Sequence, residues 1–415
     1  MKPPRVVEVT ATLAAVLVFT VLSAVPVAAQ QPPLPLPTDQ KGCLGPPQGT
    51  ERAAPWAQQR LAPERVWPLT NGSGVTVGIV DSGVDGASPQ LSGGKVTAGV
   101  DVTGEGGRAD TDCYGHGTFV AGIVAAARDP ATGFTGIAPG ASILPIRCAK
   151  LGEDGSAPVL TAASLGDGIR AAVDGGARVI NVSASTTVDD PKLSAAVNYA
   201  AGRDVVVVAS AANSAQQGDP VTYPASYPGV IAVGAVDREG KHADFSQTGS
   251  FLSLVAPGVG VTSIGPGGPG QWQGTGTSYS APFVSGAAAL VRAYHPQLTA
   301  GQVKHRLQVT ADPPVAGRPD PGLGWGTLNV VAAVTRVLPE EFGVPKQMAG
   351  PPPMGPVPGP ASDENGQAVA VLSVAVAGAL VLVLVPALRM LRGGRERKWA
   401  VQRTVRVRSR DAGPR

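Results

Sequence analysis

GVTVGIVDSGVD, residues 74–85, decides the fold. From Gly74 to Val80 it holds only glycine and β-branched residues, with no charge before Asp81. That is the pattern of a strand buried on both faces inside a parallel sheet, not of one with a wet side. Open α/β sheets bind ligands at the carboxyl ends of their strands, so Asp81 is expected to emerge at the functional edge. Two later stretches read as buried helices. HGTFVAGIVAAA (116–127) is small and apolar and carries His116 in its first turn. TSYSAPFVSGAAALVRAY (277–294) follows Gly276 and places Ser278 at a helix N-terminus, where unpaired N–H groups and the helix dipole favour developing negative charge. Pro282 is expected in the early part of that helix, where a missing N–H does least harm.

IVDSGVD around Asp81, YGHGTFVAG around His116 and GTGTSYSAP around Ser278 contribute an acid, a base and a nucleophile, in that order along the chain. The order is one of three in which this constellation occurs on unrelated folds. The three motifs and their flanks resemble the subtilisin-like serine proteases, the subtilases. The resemblance implies an α/β fold: a subtilisin-like three-layer arrangement with a mainly parallel central sheet. It also implies a mechanism. Ser278 needs a base to take its proton as it attacks a peptide carbonyl. His116 titrates near neutrality and can accept that proton and return it to the leaving amine. Asp81 would fix the imidazole tautomer and stabilise the imidazolium.

Asn213 is the candidate oxyanion donor, because GRDVVVVAS (202–210) runs into AAN at the position where subtilases place that asparagine; the Ser278 N–H would be the second donor. The resemblance also implies substrate-binding walls at Ser183, Ala184 and Ser185 in VINVSAS, and at Ser210 and Ala211 in VASAA. Subtilases commonly have Leu-Gly-Gly or a similar run after that serine. Ala184 and Ser185 depart from it, which puts the shape of the pocket in question. His242, His295 and His305 lie outside the motifs and are read as surface or loop residues.

Lys2 and Arg5 precede an apolar run from about Ala11 to Val27, and small residues follow up to Ala29, so residues 1–29 read as a secretory signal peptide. Residues 30–60 form a short N-terminal extension, 61–342 the protease domain, and 343–367 a Pro-rich linker. Residues 368–388, AVAVLSVAVAGALVLVLVPAL, are uncharged and long enough for a C-terminal transmembrane helix. The tail, 389–415, carries ten Lys/Arg against two Asp/Glu, the mark of a cytoplasmic flank. Of the 33 basic and 30 acidic groups in the chain, the remainder then holds 23 basic against 28 acidic. The net charge of +3 is therefore a topology signal and gives no reason to expect a nucleic-acid partner. The expected location is a cell membrane, crossed once, with the protease domain outside.

PWAQQRLAPERVWPLTNGSGVTVGIVDSGVD (55–85), the short extension and the order of segments together resemble the mycosins, the membrane-anchored subtilases of type VII secretion systems. The resemblance implies a serine endopeptidase that takes protein or peptide substrates of such a system and associates with its membrane complex. Two other readings are a mainly structural stabiliser of that complex and a general cell-surface subtilase. Three cysteines allow one disulfide in three pairings. Because mycosins pin their extension with a disulfide, Cys43–Cys113 is the favoured pairing, leaving Cys148 free and buried. No cofactor and no metal site are expected.

Overall fold

The computed structural model describes residues 32–37, 42–104, 108–149 and 160–342, and a C-terminal helix over 364–396. The signal-peptide reading for 1–29 falls outside these residues, as do linker positions 343–363 and tail positions 397–415.

In chain order the strands are β1 (Leu34–Pro35), β2 (Thr76–Asp81), β3 (Val100–Asp101), β4 (Ser142–Arg147), β5 (Val179–Val182), β6 (Val206–Ser210), β7 (Ile231–Val236), β8 (Leu252–Pro257), β9 (Val261–Ile264) and β10 (Gln271–Gly274). The helices of the same unit are α1 (Trp56–Leu61), α2 (His116–Ala125), α3 (Ala162–Asp174), α4 (Pro191–Gly202), α5 (Thr277–Tyr294), α6 (Ala300–Val309) and α7 (Val330–Thr335). Seven strands form one sheet in the order β3-β4-β2-β5-β6-β7-β8, every neighbouring pair parallel. The chain leaves β2 toward β4 on one side and later returns to lay β5 on the other. Asp81, the last residue of β2, therefore sits at the carboxyl end of the strand where the winding reverses.

Alternation along β2 builds the layers. Val77 and Ile79 join a core with α2 and α5 residues such as Phe119 and Val284, while Val80 joins a second core with Leu165 and Ile169 of α3 and Leu193 of α4. Helices thus cover both faces of the sheet, the expected three-layer arrangement. Gly78 belongs to the packing on the α3 side: a Cβ there would meet the Ala172 methyl at 3.0 Å. α5 is buried along almost its whole length because alanine, glycine and valine appear on every side of it.

The extension packs on a second, smaller sheet of order β1-β10-β9. Leu34 lies parallel to Trp272, and Gly49 bridges Gln271 in the antiparallel sense. The Cys43–Cys113 disulfide is formed, and beside it Leu44 N donates to Cys113 O at 2.7 Å. Cys148 is free and buried, with its thiol 3.6 Å from Asp81 O. The bridge closes a loop with a sequence separation of 70. Chain entropy alone assigns such a closure about 4 kcal/mol. The double variant Cys43→Ser/Cys113→Ser should lose stability on that scale in a urea titration; an unchanged midpoint would remove the bridge from the stability of the domain.

Among the described residues, the C-terminal unit holds one helix, α8 (Glu364–Glu396), which contains the apolar run 368–388. Among the described residues, no helix is long and apolar enough to cross a membrane. The side chains described in α8 are Leu372 and 375–390, and all of them are exposed.

Candidate active site

α2 opens with His116 as its first residue, and Gly115 ahead of it adopts φ +89°, a conformation that favours glycine. That placement sets the imidazole beside the end of β2. His116 Nδ1 lies 2.8 and 2.9 Å from the two Asp81 carboxylate oxygens. Asp81 is 5 % exposed, and its Oδ1 also accepts the Ser82 N–H at 2.8 Å. The geometry puts the His116 proton on Nδ1 and leaves Nε2 as the free acceptor. Burial works against the imidazolium, but the Asp81 carboxylate, with a smaller contribution from Asp112, outweighs it and holds His116 above its ordinary value of 6.5.

Ser278 is the second residue of α5, half-buried at its N-terminal end. Its neighbour Tyr279 lays its ring against His116, centroids 5.3 Å apart, and against Phe119 at 4.6 Å. Among the described contacts the Ser278 hydroxyl makes no hydrogen bond, to His116 or to any other group. Such bonds are often long before substrate arrives.

Pro282 lies in the early part of α5, as expected, but its missing N–H is not without consequence. It is the sixth residue, beyond the first turn, and its missing N–H withholds the helical partner of the Ser278 carbonyl. The Ser183 hydroxyl takes that role, donating to Ser278 O at 2.6 Å. Ser183 in turn accepts from Asn181 Nδ2 at 2.8 Å, and Asn181 Oδ1 accepts from the Ser285 hydroxyl at 2.8 Å. A buried polar chain therefore ties the end of β5 to the first three turns of α5.

Asn213 follows β6 and reaches the same helix end. Its Oδ1 accepts the Thr277 N–H at 2.8 Å and the Thr277 hydroxyl at 2.9 Å. With the carbonyl oxygen so engaged, Nδ2 is left as an unspent donor. Gly276, at φ +151°, passes beside this amide; a Cβ there would lie 3.2 Å from Nδ2.

A cavity of about 230 Å³ opens next to His116 and Asp81. Ser183, Ala184 and Ser185 form one wall, and Tyr114, Ala149 and Leu160 contribute to the rest. No described residue of the extension lines it. Ser210 and Ala211 are not among its lining residues and are buried: Ala211 packs with Val236, Leu252 and Val255, and its carbonyl accepts the Thr222 hydroxyl. The other histidines lie elsewhere, His295 against Val334 O and His305 beside Glu340. Among the described residues, no cluster of His, Cys, Asp or Glu could hold a metal ion.

The sequence reading passed over Ser82, Asp112, Thr277 and Tyr279. Asp112 carries one signal that could have found it: an acid just ahead of a helix start is a capping residue. Tyr279 carries none, since a tyrosine in an apolar helix reads as core.

Residues 72–326 match the sequence profile of the subtilase family. Mycosin-4 of Mycobacterium tuberculosis is 36 % identical over 380 residues, 80 % of this chain and 81 % of that protein. Subtilisin DY of Bacillus licheniformis is 42 % identical over 243 residues, 58 % of this chain and 84 % of that one. Among solved structures, the MycP3 protease from the type VII (ESX-3) secretion system is similar with a TM-score of 0.62 and 34 % identity, over 74 % of this chain and 95 % of that one.

Proposed function

This chain belongs to the subtilase family of serine endopeptidases, and we propose that it cleaves its substrates through Asp81, His116 and Ser278, outside a membrane to which α8 anchors it. The observation that carries the reading is the two-oxygen seat of His116 Nδ1 on Asp81, which leaves Nε2 as the free acceptor on a ring 5.3 Å from that of Tyr279, the residue after Ser278. In the forward step Ser278 Oγ bonds to the scissile carbonyl carbon as its proton passes to His116 Nε2. The carbonyl oxygen takes up the negative charge between Asn213 Nδ2 and the Ser278 N–H. His116 then gives its proton to the departing amine, and water, deprotonated by the same imidazole, releases the acyl group. Side chains preceding the cut would lie along Ser183–Ser185 and the cavity beside them.

The likeness to mycosins supports a place for the substrates: proteins exported by a type VII secretion system, with the protease held at its membrane complex. Described α8 side chains such as Val376, Leu380, Leu382, Val383 and Leu388 are apolar and exposed around the helix. A helix apolar on all sides belongs in a protein core or in lipid. The described part of α8 alone falls short of a span, but the uncharged sequence 368–388 taken whole would rise about 30 Å as a helix, the thickness of a bilayer's hydrocarbon core. The basic tail, 389–415, would then lie in the cytoplasm, and 343–367 would act as a tether outside it. Ending the chain after Pro360 should release a soluble, active enzyme; a truncated protein still in the membrane fraction would overturn the anchor.

A fluorophosphonate probe tests the active-site reading directly. Labelling that is present in the wild type and absent from Ser278→Ala is the expected result, and labelling that survives the substitution would overturn it.

A further inference from the structure

Behind the Asp81–His116 pair lies a second carboxylate that the proposed chemistry does not use. Asp112 is 6 % exposed and takes four hydrogen bonds. Its Oδ1 accepts from the Ser82 hydroxyl at 2.9 Å and from Gly115 N at 2.8 Å. Its Oδ2 accepts from Thr118 N at 2.8 Å and from the Thr118 hydroxyl at 2.7 Å. Every donor is neutral, and among the described residues no Lys or Arg pairs with it. One amide is that of Gly115, just ahead of α2, and the other that of Thr118 in its opening turn, so this carboxylate, three residues before Gly115, holds the start of the helix that begins with His116.

The Ser82 hydroxyl stands between the two acids. It accepts Gly117 N–H at 3.1 Å and has one proton to give, with Asp112 Oδ1 at 2.9 Å and Asp81 Oδ1 at 3.3 Å. Burial raises the Asp112 carboxyl above its ordinary value against these four hydrogen bonds, and once ionised it wins the Ser82 proton on distance. We propose that Asp112 is a positioning residue for the acid–base pair: it fixes the turn that presents His116 and keeps the Ser82 proton off Asp81, so that Asp81 gives its full acceptor strength to His116 Nδ1–H. The inference rests on the reading of Asp81, His116 and Ser278 as the reacting set.

The sign of the effect follows. Without the Asp112 charge, the imidazolium loses a nearby anion, and the Ser82 proton turns to Asp81 and weakens its pull. Both changes make His116 less basic. Activity requires neutral His116, so the acid limb of kcat/KM should move to lower pH. Other groups facing the pair do not titrate with it. Burial pushes the Tyr114 and Tyr279 hydroxyls and the Cys148 thiol up, so they stay neutral. Arg147 donates to Ser82 O at 3.2 Å and pairs with Asp101, where burial is outweighed by hydrogen bonds from Thr103 and Arg147 that hold the carboxyl below its ordinary value.

The test is the pH profile of peptide hydrolysis by the full-length protein in detergent, for wild type, Asp112→Asn, Ser82→Ala and the double variant. Asp112→Asn should move the acid limb down by about half a unit to one unit, the scale for a unit charge several ångströms away in a partly polar interior, and lower kcat severalfold with KM little changed. Ser82→Ala should leave the limb within about 0.2 units of wild type, because its proton was not on Asp81. In the double variant the shift should shrink. A limb that Asp112→Asn leaves in place, with only stability lost, would overturn the proposal. So would an upward shift in Ser82→Ala alone, which decides the matter even if Asp112→Asn does not fold. A wild-type profile with no limb dependent on Ser278 would instead overturn the underlying reading of the site.

Discussion

Ser278→Ala is expected to lower peptide hydrolysis by about 10⁶-fold while leaving the fold intact; that scale is the one found for the nucleophile of subtilisin itself. The two halves of the expectation come from different atoms of one residue. The Ser278 hydroxyl has no hydrogen-bond partner among the described contacts, so its loss orphans nothing. The structural bond at this position runs to the main chain: Ser183 donates to Ser278 O, and alanine keeps that carbonyl. The change in stability should stay within about 0.5 kcal/mol, as for a substitution that touches neither core packing nor a buried polar pair. Measured together, kcat on a peptide substrate and the thermal midpoint separate the cases. Hydrolysis near the wild-type rate would remove Ser278 from the chemistry, and a large drop in the midpoint would give it a structural role as well.

The second large effect is at Asn213. Its amide is held by the oxygen, with Thr277 N–H and Oγ–H both donating to Oδ1, and Nδ2 is the end left for substrate. Asn213→Asp keeps an acceptor for Thr277 and removes the donor, adding a negative charge where the intermediate develops its own. Asn213→Ala removes both ends. If Nδ2 stabilises the oxyanion, each should lower kcat by at least about 10²–10³-fold with little change in KM, the range established for the corresponding donor in subtilisin. The aspartate variant should be no more active than the alanine one. An aspartate that restored activity would mean that Asn213 serves only to anchor Thr277.

What the sequence made legible is what short-range chemistry determines. The run from Val75 to Val80 could only be a doubly buried strand, and β2 is that strand, with Asp81 at its end. Runs of small apolar residues after single glycines gave helices that begin at His116 and Thr277. The rest depends on residues distant in the chain. β10 reads QWQG, two polar residues about one tryptophan, and becomes a strand only because Ile264 and Leu34 come to lie on either side of its register. The sequence shows that Pro282 lacks an N–H, but not that Ser183, 95 residues before Ser278, takes up the Ser278 carbonyl that proline leaves free. Asp112 reads as one more loop acid until the fold buries it against Ser82 and Thr118. Pocket walls are harder still. Ser183–Ser185 line the cavity and Ser210 and Ala211 are not among its lining residues, a difference that two similar short runs of Ala and Ser at the ends of neighbouring parallel strands do not encode.

The Cys43–Cys113 bridge makes the N-terminus a side branch of the chain as well as its beginning. A protease that clipped the peptide anywhere from 45 to 60 would produce two chains, not a free fragment and a shortened enzyme. The smaller piece would remain bolted to the loop that leads into His116, with Leu34 still paired to Trp272. Shedding the extension therefore takes two chemistries, hydrolysis and thiol reduction, and the cut molecule would run as a single band on a denaturing gel until reductant is added.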